Sequence, residues 1–162
     1  MSGCSSNVNI KDYQQNKPNL SLFEYFQGKT RGWGMFQDRG GNLKRQFVVD
    51  INGYINDQGM LVLEEDFVWS DGEKSRRVWT ISQKNNNHFI GKADDVIGEA
   101  KGVSAGNALN WKYDLSLPVD GKTYKVSFDD WMFLQPDGVL LNRAKMSKFG
   151  FNLGEVFISF KK

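Results

Sequence analysis

Two carboxylates stand where an alternating apolar pattern calls for something else. Glu65 interrupts the series Leu61, Leu63, Phe67, Trp69, and Asp130 lies between Phe128 and Met132. Arg77, in phase with Trp79 and Ile81, and Arg143, in phase with Val139 and Leu141, are cations able to meet them. An unpaired buried charge is costly, so three arrangements compete: a bulge that turns the carboxylates to solvent, a structural ion pair, or a polar handle set in an apolar cavity. The third suits the head group of a ligand. Trp69, Trp79, Trp111, Tyr113, Phe128 and Trp131 are the aromatic side chains that would line such a cavity, or fill it.

Catalytic constellations are poorly represented. His88 is the single histidine and follows Asn85-Asn86-Asn87 at a hairpin end, where a solvated turn residue is expected. A haem ligand is the competing role, and no cofactor is expected. One histidine and one cysteine make a poor zinc set. There is no G-x-S-x-G elbow, and a Ser–His–Asp set would have to use His88. Asp129 and Asp130 are adjacent in a strand pattern, so they face opposite ways and cannot act as a carboxylate pair. An enzyme is not expected, and no metal site is assigned.

The single cysteine, Cys4, sits in the run Ser2-Gly3-Cys4-Ser5-Ser6. Two small residues before a cysteine resemble the lipobox of bacterial lipoprotein precursors, with Met1 where an apolar residue usually stands. Cys4 is therefore expected to carry lipid in the precursor, its apolar signal segment having been removed or left out of the sequence. Ser5 after the cysteine resembles lipoproteins sorted to the outer membrane. Lys11 to Asn19 is almost devoid of apolar residues, so residues 1–20 read as a lipobox remnant and flexible tether. Two or three acyl chains anchor stably where one does not.

The elements that must position Glu65, Arg77 and Asp130 are strands. With 162 residues, 40% hydrophobic and 25% charged, the chain has an ordinary globular composition and fits one domain. A formal charge of +2 on interspersed residues argues against nucleic acid. No run of about 18 apolar residues offers a membrane-spanning helix. Turn signals recur at 38–42, 56–59, 70–73, 84–87, 104–107, 119–122, 135–138 and 148–152, with a further break at Asp94-Asp95. Between them run period-2 segments: Phe47, Val49, Ile51; Leu109, Trp111, Tyr113, Leu115, Leu117; Val156, Ile158, Phe160. About ten strands in one all-β domain, residues 21–162, predict a single lipocalin-like antiparallel meander that closes to hide its edges. Ser21–Phe26 is the candidate for one helical turn closing an end.

Two stretches carry resemblances. Gly32-Trp33-Gly34 at the first strand resembles the lipocalin and wider calycin group. In that group a late arginine stacks on the first-strand Trp and shuts one end, which implies that Trp33 and Arg143 close this barrel by a cation–π contact. The C-terminal stretch 129–160 resembles domain of unknown function 3833, a family of Gram-negative lipoproteins. Gln135, Asp137-Gly138, Asn142-Arg143, Met146, Lys148-Phe149-Gly150 and Gly154-Glu155-Val156 carry that likeness. It implies a lipocalin-like barrel on a lipid anchor at the periplasmic side of the envelope, and no particular activity.

The expected function is non-catalytic binding of a small hydrophobic or lipid-like ligand, with Glu65, Trp69, Arg77, Trp79, Trp111, Tyr113 and Arg143 as candidate binding residues. The alternative is a filled barrel serving as a scaffold for an envelope protein partner. Interior volume separates the two. The small residues Gly91, Ala93, Gly98, Ala100 and Gly102 lean towards a pocket, unless they only bend strands.

Overall fold

The structure, a computed structural model, describes residues 8–162; Cys4 and the small residues around it lie outside the described residues. Ten strands follow one another: β1 (Gly28–Asp38), β2 (Leu43–Ile55), β3 (Leu61–Trp69), β4 (Lys74–Asn85), β5 (His88–Lys92), β6 (Val96–Ala105), β7 (Ala108–Val119), β8 (Lys122–Leu134), β9 (Leu140–Lys148) and β10 (Phe151–Lys161). Each pairs antiparallel with its neighbour in sequence, and β1 pairs with β10 to close the barrel. Closure leaves no free sheet edge. All nine connections fall on the turn signals of the sequence, where Asp120 and Asp137 join glycines in positive-φ conformations.

Alternation sorts the strands into an inner and an outer face. Val49, Ile51, Leu61, Leu63, Ile81, Leu109, Leu140 and Phe160 point inwards and are buried. The outer face carries cross-strand ion pairs such as Arg31–Asp50 at 2.8 Å. Such exposed pairs stabilise little.

One end of the barrel is plugged. Ser21 caps the short helix α1 (Leu22–Tyr25), its hydroxyl accepting from the Glu24 N–H at 3.4 Å. Leu20, Leu22 and Phe26 bury into the core, and the Tyr25 hydroxyl donates to the Gly138 carbonyl at 2.8 Å, tying the plug to the β8–β9 connection. The Phe26 carbonyl sits so close to β2 that a Cβ on Gly53 would stand 1.7 Å from it, so only glycine admits the plug there. Lys162 Nζ donates to the Gln27 carbonyl at 2.6 Å and to Thr30 Oγ1 at 3.0 Å at the same end.

The polar stretch read as a tether is mostly exposed over its described length but touches the barrel at Tyr13 and Leu20. Ile10–Tyr13 forms a 3-10 turn, and the Tyr13 ring meets Trp131 and Phe133 edge-on on the outer wall, with centroids 5.8 and 5.1 Å apart. Leu20 N–H donates to the Gly106 carbonyl at 2.8 Å. Trp131, expected to line the interior, therefore faces out, because it alternates with the inward Asp130 and Met132. Among the described residues no helix is long and apolar enough to cross a membrane.

Candidate functional site

The other end has no such plug among the described residues. Towards it, Phe36, Glu65, Phe67, Trp69, Arg77, Tyr113, Phe128, Met146, Val156 and Ile158 are only half-buried, whereas Leu61, Leu109 and Leu140 nearer the plug are fully buried. The cover is uneven: Val96, Leu115 and Val126, still further from the plug than Tyr113 and Phe128, are buried.

Glu65 and Arg77 are cross-strand partners in the β3–β4 register, and both face inwards. Arg77 does not pair with Glu65. Its guanidinium grips Asp95, in the β5–β6 connection, with Nε 3.1 Å from each carboxylate oxygen and Nη2 2.8 Å from Oδ2. Burial works against the Arg77 charge, but the hydrogen bonds to Asp95 and the neighbouring acidic groups outweigh it and hold the group above its ordinary range. Glu65 is left without a bonded cation. Burial pushes it up to about 7, with Arg77 opposing and Asp95 reinforcing the shift.

Asp130 and Asn142 form the second half of the site. Asp130 pairs with Ala144 and Asn142 with Met132, which makes them diagonal neighbours on the inner face of β8 and β9. They are 6% and 5% exposed, and Asp130 Oδ1 and Asn142 Oδ1 have no hydrogen-bond partner. Burial pushes Asp130 up to about 8; the Asn142 amide draws it down and Asp129 raises it. The Tyr113 hydroxyl is held well above its ordinary value, first by burial and then by Asp130. Asp129 faces outwards, accepting from Asn110 Nδ2 at 2.7 Å, so the two adjacent carboxylates do lie on opposite faces.

The aromatic residues divide between floor and mouth. Trp79 meets Trp111 edge-on at 5.5 Å and Tyr113 at 5.3 Å, and Tyr113 stacks on Phe128 at 5.2 Å. Of the small residues that leaned towards a pocket, Gly91 and Gly102 are covered, since a Cβ on either would stand 2.5 or 2.4 Å from the Trp111 ring, while Gly98 is exposed. The missing side chains make room for one indole, and no open space is left at that point. At the mouth, Phe67 stacks on Trp69 at 5.9 Å, and Arg45 lies over Trp69 at 3.9 Å.

The expected stack of Arg143 on Trp33 is not formed. Trp33 is 49% exposed on the outer face, and Arg143 is an outward residue whose guanidinium binds Glu155 at 2.7 and 3.0 Å. Arg143 therefore does not line the lumen either. Two local causes set these directions. Gly32 and Gly34 must face in, since the Phe160, Val49 and Phe47 side chains occupy the space over them, and this turns Trp33 out. In β9 the inward set is Leu140, Asn142, Ala144 and Met146, with Val139 and Leu141 on the other parity. Both parities of VLLNRAKM carry apolar residues, so alternation alone does not choose between them.

A cation–π contact does form at this rim between Arg45 and Trp69, with Arg45 Nη2 bound to Asp71 and Glu73 of the β3–β4 hairpin at 3.0 and 2.9 Å. Arg45 shares the parity of Phe47, Val49 and Ile51, a signal available in the sequence. Asp95 gave only a turn signal, because its partner Arg77 stands 18 residues away and is brought to it by the fold. His88 lies exposed in its turn, with Nδ1 2.9 Å from Asn85 Oδ1.

A closed ten-stranded antiparallel meander, plugged at one end and with polar groups part-way down its interior, is a lipocalin-like barrel. The chain belongs to the family described as Protein of unknown function (DUF3833), whose family model matches residues 1–162. Among solved structures, it resembles a protein of unknown function from the DUF3598 family of Nostoc punctiforme PCC 73102, with TM-score 0.64 and 15% identity over 90% of this chain. It spans only 50% of that protein's length. It also resembles the S-type phycobiliprotein lyase CpeS from Guillardia theta, with TM-score 0.63 and 9% identity over 87% of this chain and 90% of the lyase. At these identities the likeness is one of fold. No curated protein matches the sequence.

Proposed function

We propose that the barrel binds a small hydrophobic or lipid-like ligand through its unplugged end, without chemistry on it. One observation carries this reading: inward residues such as Phe67, Phe128, Met146 and Ile158 are only half-covered, around a polar cluster of half-buried Glu65, Arg77 and Tyr113 and buried Asp130. Each Å² of apolar wall a ligand covers contributes about 25 cal/mol, and the polar cluster orients its head. The barrel shares its fold with a phycobiliprotein lyase, which supports a container of this shape; the contents follow from this chain's own side chains. We place the protein at the periplasmic side of the envelope, acylated at Cys4, on the strength of the Ser-Gly-Cys box alone.

Native mass spectrometry on the full chain, purified from its own bacterium without detergent, tests the reading. A discrete added mass is expected, lost on organic extraction and reduced in Phe67→Ala and Tyr113→Ala. A bare mass, with no uptake of long-chain amphiphiles supplied afterwards, overturns it. For the anchor, Cys4→Ser in the precursor is expected to leave the membrane fraction; retention there overturns the lipid attachment.

A second reading has its own observation. On the outer face, Val68, Val48, Trp33, Ser159, Leu141 and Phe133 stand in register across six adjacent strands. They line an open groove of about 810 Å³, with Trp33, Val68 and Leu141 between 44% and 50% exposed. Apolar rows of this kind mark interaction surfaces. Docking of an envelope protein there predicts that Trp33→Glu abolishes co-purification of the partner while leaving lumen binding intact.

A further inference from the structure

We propose that the β7–β8 and β9–β10 hairpin tips together form a membrane-contact surface, in which Phe149 and Phe151 enter the head-group region of an anionic bilayer and Lys122, Lys125 and Lys148 meet its charge. The inference does not rest on the lumen-binding reading. Strands β8 and β9 are antiparallel neighbours, and the plug is tied to their connection at Gly138. Their other ends, Lys122 and Lys148, therefore stand side by side at the unplugged end of the barrel. Phe149 and Phe151, at that tip, are 88% and 73% exposed, the most exposed of the large hydrophobic residues among those described. Phe149 also holds a positive φ of 49°, a backbone conformation that glycine takes freely and a bulky side chain rarely adopts. Its exposure means that packing does not offset this strain, so the ring serves no purpose inside the fold.

The charges around the rings point to the partner. Across residues 119–125 and 147–152 there are three lysines and one carboxylate, Asp120. Lys122 and Lys148 form no ion pair among the described residues, and Lys125 reaches Asp114 only at 3.5 Å. Lys148 Nζ lies 3.8 Å over the Tyr124 ring and 5.5 Å from that of Phe149, so cation and aromatics share one small protrusion. Across the rim, the carboxylates of Asp71, Glu73 and Asp95 are already met by Arg45 and Arg77. Aromatic rings that enter the head-group layer, beside lysines whose stems lie along it, match an anionic lipid surface on both counts. A second copy docked through the same tip would bring the same lysines face to face, which disfavours it.

The test is co-sedimentation of the full chain carrying Cys4→Ser, which leaves no thiol to acylate. The probes are vesicles of equal parts phosphatidylethanolamine and phosphatidylglycerol, and vesicles of phosphatidylcholine alone. Binding to the anionic vesicles is expected, at least about tenfold tighter than to phosphatidylcholine and weakened by added salt. Phe149→Gly with Phe151→Ser is expected to weaken it at least about tenfold, and Lys122→Gln with Lys148→Gln by a similar factor. Phe149→Gly alone separates contact from folding. Glycine suits the positive φ, so its urea midpoint is expected to stay level or rise while vesicle binding falls. Trp33→Glu, on the outer wall, is expected to leave vesicle binding unchanged. The proposal is overturned if the anionic vesicles are not bound, if phosphatidylcholine is bound as tightly, or if the tip substitutions leave binding as it was. Binding lost in Trp33→Glu and kept in the tip variants overturns it too, by moving the contact to the wall. So does self-association that the tip substitutions abolish in the absence of vesicle binding.

Discussion

Glu65 carries a pH-dependent share of the fold's stability that Glu65→Gln removes. In the unfolded chain the carboxyl titrates at its ordinary 4.5; in the barrel burial pushes it up to about 7. Below about pH 4.5 it is neutral in both states, and its contribution to stability is fully present. Between the two values the folded protein keeps a proton that the unfolded chain has shed, so stability falls as pH rises. At about 1.4 kcal/mol per pH unit, the loss reaches about 3 kcal/mol by pH 7 and then levels off. Asp130, pushed up to about 8, acts in the same direction and extends the decline beyond neutrality. Asp38 and Asp50 are held below their ordinary range, Asp38 by hydrogen bonds from the 40–42 turn and Asp50 by Arg31, so their opposite effect falls at lower pH. Urea unfolding followed by tryptophan fluorescence at about pH 4.5, 6 and 7.5 measures the trend. The unaltered chain should lose stability across the series, and Glu65→Gln should lose less, by up to about 3 kcal/mol at the highest pH. Stability that is flat or rises over this range, or an equal decline in the variant, would refute the placement of Glu65 in a desolvated lumen.

Two further substitutions probe the plug and the outer wall. Gly53→Ala drives a methyl into the Phe26 carbonyl, and is expected to cost at least about 1–3 kcal/mol in urea unfolding and to loosen α1, read as faster amide exchange over residues 22–26. Arg143→Ala removes one exposed ion pair, and is expected to change stability by less than about 1 kcal/mol with no effect on the added mass seen by native mass spectrometry, in contrast to an arginine that closes the barrel.

The strand count, the connections and most of the inner face are legible in the order of residues. Clusters of Gly, Asp and Asn mark the nine turns, because these residues most readily adopt the backbone angles such turns need; Phe149 is an exception at β9–β10. Leu61, Leu63, Glu65, Phe67 and Trp69 share a face by period 2 whatever the rest of the chain does. The same period puts Glu65, Arg77 and Asp130 in phase with the inner face but leaves a bulge towards solvent open, which the regular β3–β4 and β8–β9 register excludes. Where alternation is ambiguous the sequence is silent. Trp33 is flanked by glycines that either face tolerates, and Arg143 lies in a segment that is apolar on both parities. The direction of each is decided by what packs over the neighbouring strand: Phe47 and Phe160 above the β1 glycines, and the buried Leu140 and Ala144 in β9. The pairing of Arg77 with Asp95, the cover that Trp111 lays over Gly91 and Gly102, and the buried neighbours Asp130 and Asn142 belong to tertiary structure alone. A residue's own neighbours set which way its side chain points; only barrel closure sets what it meets across the lumen, because those contacts join strands far apart in the chain.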